Sequence, residues 1–148
     1  MKIAVLSLLA LMAGHAFAQE TEIVVVQSGD AAHEFVVELA DEPDEITTGF
    51  MFRETLEPDA GMLFDFGTPR EANMWMRNVT LPLDMLFIGE DGIVVAIARN
   101  AVPGSERRIN PGVPVKGVLE LNGGRAAELG IEPGATVDHP IFATSDDE

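Results

Sequence analysis

The chain has no cysteine among its 148 residues and is short of cations, with 9 Lys+Arg against 25 Asp+Glu and a net charge of −16. The first absence excludes a disulfide framework, a thiol nucleophile and a lipid anchor acylated on a leader cysteine. The second argues against holding nucleic acid or an anionic membrane surface by charge. Long apolar runs are missing too. The run from Ile3 to Ala13 falls well short of the ~20 apolar residues that cross a bilayer. There is no Gly-x-x-x-x-Gly-Lys phosphate loop, Rossmann glycine pattern, six-ligand calcium loop or Gly-x-Ser-x-Gly elbow. Phosphate-loop, dinucleotide and triad chemistries are set aside on that ground.

What is present describes a folded protein. Hydrophobic residues make up 47% and charged ones 23% of a chain long enough for one core and too short for two. Residues 1–18 read as a secretory signal peptide: Met1-Lys2, the apolar run, then Ala16-Phe17-Ala18 as a small-residue cleavage site before Gln19. Cleavage after Ala18 leaves one β-rich domain over residues 19–148, soluble and free of the membrane. A periplasmic or secreted location is expected.

Short apolar runs separated by turn residues dominate the remainder. Ile23 to Val26 and Glu34 to Leu39 flank Ser28-Gly29-Asp30 and predict a hairpin. Asp41 is a candidate cap for a short helix reaching about Phe52, weakened by Gly49. Strands are expected at Met62 to Phe66, Asn73 to Asn78 and Leu83 to Ile88. Gly89-Glu90-Asp91-Gly92 then turns the chain into Ile93 to Ala98 as an antiparallel pair. The Pro- and Gly-rich stretch Val102 to Pro114 reads as a long loop. Val115 to Leu121 returns to strand, Asn122 is placed to cap a short helix ending at Gly130, and a last strand is expected near Thr136 to Phe142, before a mobile tail. The fold class is mainly β: a single compact β-sandwich or barrel-like domain with one or two short helices.

The motifs Gly49-Phe50-Met51-Phe52-Arg53, Gly61-Met62-Leu63-Phe64, Trp75-Met76-Arg77-Asn78, Pro82-Leu83-Asp84 and Val118-Leu119-Glu120-Leu121 occur in order. In that series the chain resembles the family called domain of unknown function 192, over roughly residues 23–142. The resemblance implies a compact β-rich architecture and frequent export. It implies no activity and no catalytic residue. Two positions depart from the pattern: Val79 follows Asn78 where the family usually has threonine, and Ala135 stands where it tends to have aspartate.

Five residues form the candidate ligand-binding set: Arg53, Trp75, Arg77, Asn78 and Asp84. Alternation along Asn73 to Asn78 places Trp75 and Arg77 on one face and Met74, Met76 and Asn78 on the other. With the methionines inside, a guanidinium and an indole lie together outside, where they can meet an anionic or planar ligand. The opposite arrangement buries Trp75 and leaves Arg77 paired with one of the many acids. Arg53 and Asp84 are expected either to form an ion pair that shapes the Val79 to Pro82 connection, with Asn78 bonding its backbone, or to present the arginine fork to a ligand.

Parts of the sequence are compatible with other chemistries. Asp84 and Glu120, both set in apolar strands, could divide acid and base roles in a cell-envelope hydrolase. Met74-x-Met76 could offer thioethers to copper(I), and Asp41, Glu42, Asp44 and Glu45 could hold calcium loosely, but core packing and a solvated helix start account for both groups. A structural or chaperone-like role would require a large exposed apolar patch. No cofactor or metal is expected. The anticipated partner is a small anionic or saccharide ligand.

Overall fold

The computed structural model describes residues 19–142. The leader assigned to residues 1–18 and the tail from Asp146 lie outside the described residues. Seven strands form one curled sheet, a half-barrel, so the chain is mainly β with two short helices and the barrel-like alternative is the one adopted. In chain order the elements are β1 (Thr21–Ser28), β2 (Ala31–Ala40), α1 (Pro43–Thr48), β3 (Ala60–Arg70), β4 (Leu83–Ile88), β5 (Val94–Ala101), β6 (Val115–Asn122), α2 (Arg125–Glu128) and β7 (Thr136–Asp138). Across the sheet they run β5-β4-β6-β3-β2-β1-β7.

Local chemistry explains most of this order. Gly29, at φ 59°, allows the two-residue turn that joins β1 to β2 in antiparallel register. The expected β4–β5 hairpin forms around Gly89 and Gly92, with the Gly92 N–H donating to the Gly89 carbonyl at 3.0 Å. β2 and β3 pair in parallel, which requires a crossover, and α1 lies within it. That helix is shorter than expected. It begins after Glu42, where the Glu45 carboxylate accepts the N–H groups of Asp41 and Glu42 at 3.2 Å each, and it ends at Gly49 rather than Phe52.

Three further expectations are corrected. Asn73 to Asn78 is not a ladder strand. Only Met74 bridges Ile109, and the chain then turns through Asn78 at φ 57°. Asn122 caps no helix, because its side chain donates to the carbonyls of Leu56 and Glu57 and α2 starts after Gly124. The last strand stops at Asp138.

Alternation along the strands sorts apolar residues into two layers, one on each face of the sheet. The inner layer gathers Val24, Phe35, Leu63, Leu86, Leu119 and Val137 from strands right across the sheet. The outer layer is centred on β3, β4 and β6, with Met62, Phe64, Met85, Phe87 and Val118 covered by Phe50, Met76 and Val79 from the connections, and only alanines reach it from β2 and β5. Having both faces covered explains why β4 is buried along its whole length. At one end an isolated bridge between Ile93 and Thr136 brings the tip of the β4–β5 hairpin to β7 and draws the two ends of the sheet together. No helix among the described residues is long and apolar enough to cross a membrane.

Candidate functional site

The site grows out of β6, whose sequence Val118-Leu119-Glu120-Leu121 alternates between the two layers. Leu119 and Leu121 point to the inner layer, so Glu120 must point outward with Val118. Its cross-strand neighbours are Met62 on β3 and Met85 on β4, and neither side chain offers the carboxyl a strong hydrogen bond. Glu120 is only 3% exposed and has no hydrogen-bonding or ion-pair partner among the described residues. Burial therefore penalises its charged form and pushes its pKa from 4.5 up to about 8, which keeps the carboxyl mostly protonated at neutral pH.

The protein does not seal this carboxyl away. Glu120 opens into a cleft of about 250 Å³ between the end of α1, the outer face of the sheet and the segment from Arg70 to Val79. Phe50 and Phe64 line the cleft, as do Thr47, Thr48 and Met74. Two arginine–aromatic pairs lie along it. The Arg70 guanidinium sits 4.3 Å from the Phe66 ring centre, and that of Arg77 sits 5.4 Å from the Trp75 ring. Arg70 has no acidic partner among the described residues. Arg77 makes only an exposed contact with Glu106 at 3.5 Å. Such a pair at the surface is worth little and can exchange for a ligand. Glu71 and Asn73 also line the cleft, and Asn110 donates to both side chains, to Glu71 at 2.5 Å and to Asn73 at 3.1 Å.

Of the five residues singled out from sequence, the structure brings together Trp75 and Arg77. The methionine face is the inward one: Met76 is fully buried and Met74 packs partly against the same layer, while Trp75 is 41% exposed. Alternation survives without a strand because the N–H groups of Met74 and Met76 donate to Ile109 and Ser105 in the facing loop, each at 2.9 Å.

The other three lie elsewhere. Arg53 forms a fork with Glu38, with bonds of 2.8 and 2.6 Å, instead of pairing with Asp84. Asn78 sits in a turn where its carbonyl accepts the Phe52 N–H at 3.0 Å. Asp84 points to the inner layer, fully buried, and accepts the backbone N–H groups of Asn100, Gly124 and Ala126 at 2.8, 3.1 and 2.9 Å. It ties β4 to β5 and to the start of α2. The pairing of Asp84 with Glu120 as two catalytic acids is likewise not built. Asp84 stands opposite Leu121 and Glu120 opposite Met85, so the two carboxyls face opposite sides of the sheet.

Sequence reasoning missed Arg70, Glu71 and Phe66. A scarce cation just beyond Gly67, Thr68 and Pro69 was the one available signal, and the strand expected to stop at Phe66 runs on through these residues to Arg70 with an irregularity in its register. Met74 and Met76 serve as packing, and no cluster of three metal-ligating acids or histidines occurs among the described residues.

Known proteins share this fold. No curated protein matches the chain. A crystal structure of a proposed transcription regulator from Sinorhizobium meliloti 1021 is 44% identical, covers 84% of this chain and 98% of its own, and superposes with a TM-score of 0.82. A protein of unknown function from Novosphingobium aromaticivorans DSM 12444 is 43% identical, covers 80% of this chain and 85% of its own, and gives 0.79. The family described as DUF192, uncharacterized ACR, matches residues 24–139, a span that runs from β1 past β7 and contains the cleft, Glu120 and both arginine–aromatic pairs. On that match, the half-barrel and the cleft on its outer face are those of a member of the DUF192 family, to which this chain belongs.

Proposed function

We propose that this protein is an exported binding module that takes a small anionic ligand into the cleft lined by Trp75, Arg70 and Arg77. The observation that carries the reading is the state of Glu120. A carboxyl that is almost wholly buried, without a partner among the described residues and open only to the cleft, is costly in a finished core, and it becomes useful where a ligand completes its hydrogen bonds. With that carboxyl neutral, the charged groups lining the cleft are the two guanidinium groups and the Glu71 carboxylate, and Glu106, which touches Arg77 from outside the lining, is the exposed acid that a ligand anion would displace. The balance favours an anion in a molecule that otherwise repels one. Trp75 supplies a flat apolar wall for the remainder of the ligand.

Export rests on the leader sequence. A hydrolase built on Asp84 and Glu120 finds no support in their placement on opposite faces. The regulatory role proposed for the Sinorhizobium relative would call for a nucleic-acid face, and a net charge of −16 does not favour one.

The test is thermal unfolding of the full chain with glucuronate, cyclohexanecarboxylate or inorganic phosphate, each against a neutral counterpart. A ligand at a hundred times its dissociation constant adds about 2.7 kcal/mol of stability. At least one anion should raise the unfolding temperature of the wild type and lose that effect in the double variant Arg70→Gln, Arg77→Gln. A shift equal in both proteins, or none with any anion, refutes the reading.

A further inference from the structure

The depth at which Glu120 sits, relative to the arginines, narrows the ligand class. The two guanidinium groups line the cleft beside Phe66 and Trp75, which are half-buried and exposed, whereas Glu120 lies on the central strand β6 with Met62 and Met85 as its cross-strand neighbours. A ligand that satisfies both must carry an anionic group and, on the same small frame, a group suited to a neutral carboxyl. A neutral carboxyl offers one donor and acceptor lone pairs, and a hydroxyl offers the same combination. Each satisfies the other without moving charge into an apolar place, which an ammonium or a second anion would do. The volume, about 250 Å³, lies just below the usual range of about 300–1,000 Å³ for ligand sites, so a single ring fits and an oligomer does not.

The anionic group is further constrained. Glu71 lines the same cleft, and Glu106 touches Arg77. Both disfavour a dianion more than a monoanion. A carboxylate matches the flat fork of arginine while adding only one charge. Trp75, exposed on the cleft wall, suits the face of a saturated ring whose C–H groups point toward it.

We infer that the cleft is a site for a monomeric sugar acid, a hydroxylated ring bearing one carboxylate, with Arg70 and Arg77 holding the carboxylate, Trp75 the ring face and Glu120 a ring hydroxyl. This rests on the anion-binding reading above and adds the hydroxyl recognition and the carboxylate. Glu120 acts here by reading the ligand, and no bond is made or broken.

The experiment is calorimetric titration of the full chain with glucuronate, cyclohexanecarboxylate and glucose 6-phosphate. The first two share a ring and a carboxylate and differ in hydroxyl groups. Glucuronate should bind at least tenfold more tightly than either of the others. Glu120→Gln, which keeps a neutral donor and acceptor, should retain that margin, and Glu120→Leu, which packs without either, should lose it. Equal binding of glucuronate and cyclohexanecarboxylate, or a margin intact in Glu120→Leu, overturns the sugar-acid assignment while leaving an anion site standing. Tighter binding of glucose 6-phosphate overturns the choice of carboxylate. If none of the three anions binds, both readings fall together.

Discussion

Replacing Glu120 by glutamine should make the protein more stable at neutral and mildly alkaline pH, and by an amount that grows with pH. The carboxyl titrates near 4.5 in the unfolded chain and near 8 in the folded one. Below pH 4.5 it is protonated in both states and costs nothing. Between those values the unfolded chain releases the proton and the folded chain keeps it, so stability falls by about 1.4 kcal/mol per pH unit. Above pH 8 the folded protein holds a buried anion, and the loss levels off at about 5 kcal/mol relative to acid conditions. Glutamine has nearly the same shape and no charge to lose. Urea denaturation of wild type and Glu120→Gln at half-unit steps from pH 4 to about 9 reads the difference directly, and the other acids cancel because both proteins carry them. The two should agree within about 1 kcal/mol at the acid end and diverge by several at the other. A difference that stays flat across the range would mean that Glu120 ionises as easily folded as unfolded, and the account of the cleft would lose its foundation.

Two other substitutions probe the frame that carries the cleft. Asp84→Ala strips an acceptor from three backbone N–H groups and should cost about 3 kcal/mol or more by urea denaturation, with Asp84→Asn costing less because one acceptor oxygen remains. A loss under about 1 kcal/mol for the alanine variant would show that water replaces the carboxylate freely. Phe52 is 77% exposed and held at φ 64°, a backbone region that bulky residues avoid. Phe52→Asn should therefore raise stability by about 1 kcal/mol, and a variant less stable than wild type would mean that the ring packs more than its exposure implies.

How much of this was legible in the sequence depended on how local each cause was. β4, β5 and the turn between them are written in one consecutive stretch from Leu83 to Ala101, where an apolar run, two glycines and a second run dictate a hairpin. Trp75 and Arg77 share a face because successive side chains alternate in extended backbone, and that holds with Ile109 and Ser105 as the hydrogen-bonding partners instead of a strand. Asp84 was misread because charge logic looks for a cation, whereas the acid is satisfied by peptide N–H groups of residues 100, 124 and 126, which no side-chain pattern announces. Glu120 presented the converse difficulty. Its place in an apolar strand was visible, but its lack of a partner is a property of everything around it, and only the fold brings Arg70 from the end of β3 to the same cleft. Arg53 had more than one acid within reach of plausible turns, and its fork with Glu38 depended on the parallel pairing of β2 with β3.

The bridge from Ile93 to Thr136 lies close to the end of the described chain, with Phe142 seated against Gly92 and Gly117 just beyond it. The segment that joins the two ends of the sheet is thus separated from its β1 partners by most of the described chain. Until it docks, the outer edge of β1 is unpaired and Val137 and Phe142 are missing from the inner layer. Contacts of such long sequence separation reward the chain only after its distant parts have been brought together, which places this seam among the slow steps of folding.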